Sequence, residues 1–229
     1  MRNKKENNLF TEGNTKEIAE QLRQPNGVFA IQVGEKMNES NLQMNIQTIE
    51  NLDLQPRNNV LEIGMGNGFF VKNLFYIENS ITYAGCDFSE EMVKASICQN
   101  LDFVNIKKVN FYNANANNLP FANNTFDIIF SINTIYFWTN LEEVFSEIER
   151  VLKDNGKFIL TIRPKHIMQN MPFIKYGFTT FSKNEIIEIV EKFGFSMIGV
   201  LEKKEADIEI LGEKLENNFI IVKSIKKRK

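Results

Sequence analysis

Apolar positions along the chain change period several times, and each change marks an element. Leu42, Ile46, Ile49 and Leu52 recur at spacings of four and three, which places them on one helix face before Pro56 breaks the pattern. Val60–Ile63 is a short apolar run that reads as a first strand. "FFVKNLFYI", after Gly68, reads as a helix, and "ITYAGCD" as a buried strand ending at Asp87. Ser89 is placed to cap the next helix, with Met92 one turn onward. "IKKVNFYNA" is a third strand. "TFDIIFSI" is a fourth, nearly continuous in apolar residues, as a strand covered on both faces requires.

The second half keeps the alternation. Leu141, Val144, Phe145, Ile148, Val151 and Leu152 form a helical stripe, "KDNG" ends that helix with Gly156 near the C′ position, and "KFILTI" is a fifth strand. Ser182 opens a helix through Phe193, and Gly194 ends it. Two late strands follow, Phe195–Glu202 and Asn218–Ile225, with only the polar "KKEADIEILGEKLENN" region between them. The expected fold is α/β, a doubly wound sheet whose terminal hairpin adds an antiparallel strand. No internal repeat or low-complexity linker divides the 229 residues, so one domain is expected.

Charge and cysteine content exclude several classes. Lys and Arg number 27 against 29 Asp and Glu, a net charge of -2, so there is no basic footprint for nucleic acid. Cys86 and Cys98 have neither metal-ligand spacing nor a disulfide framework, which suits a reducing cytoplasm, and no metal is expected. "MRNKKENNLF" lacks an apolar signal region, and no segment reaches membrane-spanning length. The "KSIKKRK" end reads as a solvated chain end rather than an RNA contact.

The chemistry gathers around "LEIGMGNG". Gly64 permits a tight turn after the first strand, Gly66 a close backbone approach, and Gly68 a helix start close to the sheet. The dinucleotide fingerprint G-x-G-x-x-G needs glycine at position 69, where Phe69 stands. Glu62 ends the first strand, where a carboxylate suits a cationic ligand better than a pyrophosphate. Asp87 ends the second, where a carboxylate accepts from both hydroxyls of a ribose. A ribose-bearing ligand with a cationic part points to S-adenosylmethionine.

"VLEIGMGNG", "GCDFSEEMV", "NANNLPFANNTFDIIFS" and "EIERVLKDNGKFIL" occur in the order found in class I S-adenosylmethionine-dependent methyltransferases, and the chain resembles that family's UbiE-like domain type over 58–162. The resemblance implies a Rossmann-like, seven-stranded sheet with its last strand antiparallel. Residues 1–56 are expected to form an N-terminal helical cap, 57–165 the cofactor-binding core, and 166–229 an acceptor-side loop, helix and terminal hairpin. By the resemblance, Glu62, Gly64, Met65, Gly66 and Gly68 line the methionine end of S-adenosylmethionine, Asp87 holds the ribose, and Phe88 and Met92 flank the adenine. Asn115 and Ala116 stand where the family carries Asp-Ala beside the adenine, and Asn133 approaches the cofactor through its backbone.

The implied reaction is in-line displacement at the methyl carbon, which relies on positioning and desolvation and needs no catalytic triad; no residue is assigned as catalytic. Tyr136 and Trp138 follow the fourth strand where the family binds acceptors, and Phe29 belongs to a cap over the site; for all three, ordinary packing is an equal rival. His166, the one histidine, reads as a loop residue before a general base. "SINTIYFW" lacks the Asp/Asn-Pro-Pro-aromatic signature for amino groups of bases or glutamine, and no cysteine nucleophile or RNA-binding module is visible. A small-molecule methyl acceptor is therefore expected. The rivals are a nicotinamide-dependent oxidoreductase, which Phe69 disfavours, and a non-catalytic S-adenosylmethionine-binding protein. The sequence assigns no oligomeric state.

Overall fold

A computed structural model describes residues 14–210 and 213–227. Three helices come first: α1 (Thr15–Arg23), α2 (Ala30–Ser40) and α3 (Leu42–Glu50). The alternation then runs β1 (Asn59–Ile63), α4 (Val71–Ile77), β2 (Thr82–Asp87), α5 (Glu90–Gln99), α6 (Leu101–Asn105), β3 (Val109–Asn113), β4 (Phe126–Ile132), α7 (Leu141–Val151) and β5 (Leu152–Ile162). The last part holds α8 (Lys165–Met168), α9 (Lys183–Lys192), β6 (Phe195–Lys204), β7 (Ile208–Ile210), β8 (Glu213–Leu215) and β9 (Asn218–Lys226).

Seven strands form one sheet in the order β3-β2-β1-β4-β5-β9-β6. Pairing is parallel from β3 through β5, and β9 runs antiparallel to both β5 and β6. The expected terminal hairpin is present, with the small two-stranded sheet β7–β8 inserted in its connection. Strand order reverses beside β1, so the carboxyl ends of β1 and β4 diverge into loops on opposite sides and open a crevice between them.

The central strands are apolar on both faces because both faces are covered. In β4, Ile129 packs into a cluster with Val144, Phe145 and Ile148 of α7, while Ile128, Phe130 and Ile132 join Met44 and Ile49 of α3 and Leu74 of α4. Each fully buried Leu, Ile or Phe contributes about 1.5–3 kcal/mol over an exposed one.

Some local expectations are corrected. Helix α3 is present with Ile49 and, just past it, Leu52 buried as expected, but Leu42 is 41% exposed, and Met44, Asn45 and Thr48 are buried as well. A polar threonine turns inward because its hydroxyl meets Thr161 of β5 at 2.8 Å, a bond that compensates burial. Helix α7 ends at Val151, and Asn155 (φ 58) takes the left-handed conformation expected of Gly156. Gly156 instead lies in β5, where an added Cβ would stand 2.7 Å from Leu152 Cδ1. The "KSIKKRK" segment is largely β9: Ser224 is buried, and Lys226 donates to the Leu152 carbonyl at 2.8 Å.

Candidate cofactor and acceptor site

The turn after β1 is built from three left-handed glycines, each for a different neighbour. Gly64 (φ 77) would place a Cβ 2.2 Å from Thr134 Cγ2 in the loop after β4. Gly68 (φ 69) would place one 2.8 Å from Ser96 Cβ, and Asn100 Nδ2 donates to its carbonyl at 3.0 Å, so it fits the turn against α5. Gly66 (φ 58) meets nothing within 4 Å. Open space beside a residue forced into this conformation is what a ligand cradle requires.

Asp87, at the end of β2, faces that cradle. Its Oδ2 accepts from Gly66 N at 3.0 Å and its Oδ1 from Ser89 N at 2.9 Å, so the carboxylate ties the glycine turn to the start of α5. Each oxygen keeps a lone pair for a further donor. Burial raises the Asp87 pKa, opposed by these backbone bonds. Ser89 caps α5 by accepting from Met92 N at 3.2 Å, and its hydroxyl bonds the Pro25 carbonyl in the connection between α1 and α2.

Glu62 is almost fully buried, and Tyr83 Oη donates to its Oε2 at 2.6 Å. Burial pushes the Glu62 pKa up to about 7; the Tyr83 bond opposes the shift and Asp87 adds to it. A cation placed against this carboxylate would restore its ionised form.

The crevice is lined by Glu62, Gly64, Met65 and Gly66 from the first turn, and by Asp87, Phe88 and Met92 from the second. Asn115 and Ala116 after β3, Asn133 and Trp138 after β4, and the cap residues Met37, Asn38, Asn41 and Asn45 complete its walls. Most residues expected there from sequence are thus brought together. Gly68 is not in the lining; it serves the turn from behind. Tyr136 is not in it either: its ring is 3% exposed, and its hydroxyl accepts from Arg163 N at 2.5 Å and donates to Asn133 Oδ1 at 2.9 Å. Phe29 packs against the core beside the cap and does not reach the cavity. His166 is exposed and lies outside the lining.

Sequence reasoning missed the asparagines of the cap. "MNESNLQMN" carries Asn38, Asn41 and Asn45 at spacings of three and four, a helical face whose meaning depends on what it covers. The close fit of that cap shows at Gly34 of α2, where an added Cβ would stand 3.1 Å from Asn67 Nδ2 and 3.4 Å from Met92 Cε. Among the described residues no group of three or more histidines, cysteines or acidic residues is arranged to hold a metal ion, and no helix is long and apolar enough to cross a membrane.

Comparison with solved structures defines the fold. An S-adenosylmethionine-dependent methyltransferase from Aquifex aeolicus is 19% identical and covers 92% of this chain and 97% of its own, with a TM-score of 0.65. The YcgJ protein of Bacillus subtilis is 16% identical and covers 82% of this chain and 100% of its own, with a TM-score of 0.64. The fold is that of the Rossmann-like methyltransferases.

The methyltransferase domain family matches residues 61–160. The uncharacterized methyltransferase YdaC of Bacillus subtilis is 26% identical over 125 residues, 55% of this chain and 67% of its own length. The ubiquinone/menaquinone biosynthesis C-methyltransferase UbiE of Shewanella piezotolerans is 29% identical over 141 residues, 59% of this chain and 55% of its own. Over residues 61–160 the chain is similar to the class I S-adenosylmethionine-dependent methyltransferases. The chain matches 67%, 49% and 62% of the lengths of three curated relatives.

The residues present fit that cofactor. Gly66 leaves a cradle that a Cβ would fill, Asp87 offers two acceptors for a ribose diol, and Glu62 offers a buried carboxylate for an ammonium. Phe88 and Met92 supply apolar surface for a purine.

Proposed function

We propose that this protein transfers a methyl group from S-adenosylmethionine to a small-molecule acceptor. The observation that carries the reading is the joint presence of Glu62, the Gly64–Gly66 turn and Asp87 along one crevice that the N-terminal cap partly covers. The bound cofactor supplies an electrophilic methyl on a sulfonium. The acceptor atom attacks in line as the carbon–sulfur bond breaks, and the chain's contribution is to hold the two together and exclude water.

No residue is assigned as general base. Glu62 and Asp87 face the cofactor, and Cys86 is pushed well above the usual thiol range by burial, so it stays protonated. The acceptor therefore brings its own nucleophilic atom, or an acidic proton that water takes up. Relatives named for fatty-acid, sterol and quinone-pathway methylation support a small acceptor. Trp138 and Phe137, at the β4 side of the cavity, supply an apolar wall for it.

The test is production of S-adenosylhomocysteine on incubation with S-adenosylmethionine and a fractionated small-molecule extract. Turnover that survives removal of protein and nucleic acid from the extract supports the reading. Turnover confined to the macromolecular fraction overturns it.

A further inference from the structure

Asn41 stands between α2 and α3, where an asparagine ordinarily turns its side chain back to cap the following helix. It makes no such bond. Its Oδ1 instead accepts from Asn133 Nδ2 at 2.9 Å, just past β4, and from Arg163 Nη2 at 3.3 Å, just past β5. Two donors on one oxygen fix the amide, because the flipped orientation would set donor against donor. Asn41 lines the cavity, and no described residue accepts from its Nδ2.

Arg163 is 4% exposed and is itself outside the lining. It pairs with Glu205 at 2.6 Å, bonds Asn217, and donates to the Ser40 carbonyl at 2.9 Å. Its positive charge is spent behind the wall, but one of its donors ends on the Asn41 carbonyl. That polarises the amide and makes Nδ2–H a stronger donor toward the cavity.

The methionyl end of S-adenosylmethionine is a zwitterion. Glu62 suits its ammonium; the carboxylate needs N–H donors. The described lining holds no lysine or histidine. Its arginine, Arg23, adjoins Gln24 and Pro25, which bond Phe88 and Ser89 at the ribose and adenine end.

We propose that Asn41, oriented by Asn133 and Arg163, is the donor that takes the α-carboxylate of the cofactor. The cap thus supplies part of the methionyl subsite, and Arg163 is a positioning residue acting through Asn41. The proposal rests on the S-adenosylmethionine reading above. An oxygen of the methyl acceptor is the other possible source of the same chemistry, and the experiment separates the two.

Calorimetry on the full chain compares S-adenosylmethionine, decarboxylated S-adenosylmethionine, which keeps the ammonium alone, and 5′-methylthioadenosine, which lacks both groups. The parent protein is expected to prefer S-adenosylmethionine over its decarboxylated form by about tenfold or more. Asn41→Asp sets an anion where the donor stood yet stays paired to Arg163. It is expected to weaken S-adenosylmethionine by about tenfold or more, without weakening the decarboxylated form or 5′-methylthioadenosine. Asn41→Ala is expected to lower the preference without reversing it, and keeps the test decisive if the aspartate variant fails to fold. A folded variant that retains the parent preference overturns the proposal. So does loss of turnover with the preference intact, which would assign the donor to the acceptor. If the parent protein binds none of the three compounds, the cofactor reading itself is wrong.

Discussion

The hydroxyl of Tyr83 reaches across β2 to the Glu62 carboxylate of β1 at 2.6 Å, and it does so over a glycine. Glu62 pairs directly with Gly85 in the sheet register, and Tyr83 lies two residues before Gly85 on the same face. A Cβ on Gly85 would stand 2.8 Å from that hydroxyl. Gly85 is thus the gap through which a buried tyrosine holds a buried acid at the cofactor edge of the sheet.

This arrangement gives stability and binding opposite pH dependences. The Glu62 pKa is raised from 4.5 in the unfolded chain to about 7 in the fold, so the native state holds the extra proton between those values. Stability from this residue is greatest below pH 4.5 and is lost as pH rises to 7, a change of roughly 3 kcal/mol. Denaturant melts of Glu62→Gln should lack this downward slope relative to the parent. Affinity for S-adenosylhomocysteine should move the other way and rise about tenfold from pH 6 to pH 8, because the ammonium favours the ionised acid.

The two lining glycines of the turn after β1 should separate folding from binding. Gly64→Ala drives its Cβ into Thr134 Cγ2 at 2.2 Å, so the variant should be severely destabilised, or unfolded, in a thermal melt. Gly66→Ala meets nothing within 4 Å and should cost only about 1 kcal/mol for its positive φ. Its methyl group occupies the cradle, so S-adenosylhomocysteine affinity should fall more than tenfold in calorimetry.

Asp87 has two tasks, and substitutions should show both. Asp87→Ala removes the ribose acceptors and also frees the N–H groups of Gly66 and Ser89. Cofactor affinity should drop tenfold or more, and stability by about 1–3 kcal/mol. Asp87→Asn, which keeps one acceptor oxygen, should lose less stability than the alanine variant while still weakening the cofactor.

Tyr136 and Trp138 should part company although only two residues separate them. Tyr136→Phe frees Arg163 N and Asn133 Oδ1, so it should lower stability by about 1–2 kcal/mol. Trp138→Ala opens the cavity wall and should lower turnover with a true acceptor at subsaturating concentration, leaving S-adenosylmethionine affinity within about twofold.

The fold was legible because strands buried on both faces cannot hide: β1, β2 and β4 read as apolar runs that end at Ile63, Asp87 and Ile132, the edge where ligands collect. The glycines and both carboxylates were legible for the same reason, since their meaning depends on position relative to those strands. What escaped depends on contacts far apart in the chain. Asn41 meets Asn133 across 92 residues and Arg163 across 122, so no local spacing announces its orientation. Tyr136 lies in a loop whose direction is set by the Arg163 backbone, 27 residues later, and an aromatic side chain alone does not say which side of a wall it occupies. On the α3 stripe Ile49 and Leu52 are buried as their spacing implied, but Leu42 is exposed, and Thr48 is buried beside them because Thr161 gives it a partner.

Calorimetric titration of the purified chain with S-adenosylhomocysteine and, separately, with NAD tests the central assignment most directly. S-adenosylhomocysteine is expected to bind with a Kd in the low micromolar range or tighter, about -8 kcal/mol, and NAD to give no measurable heat. Clear binding of NAD with no heat from S-adenosylhomocysteine would contradict it.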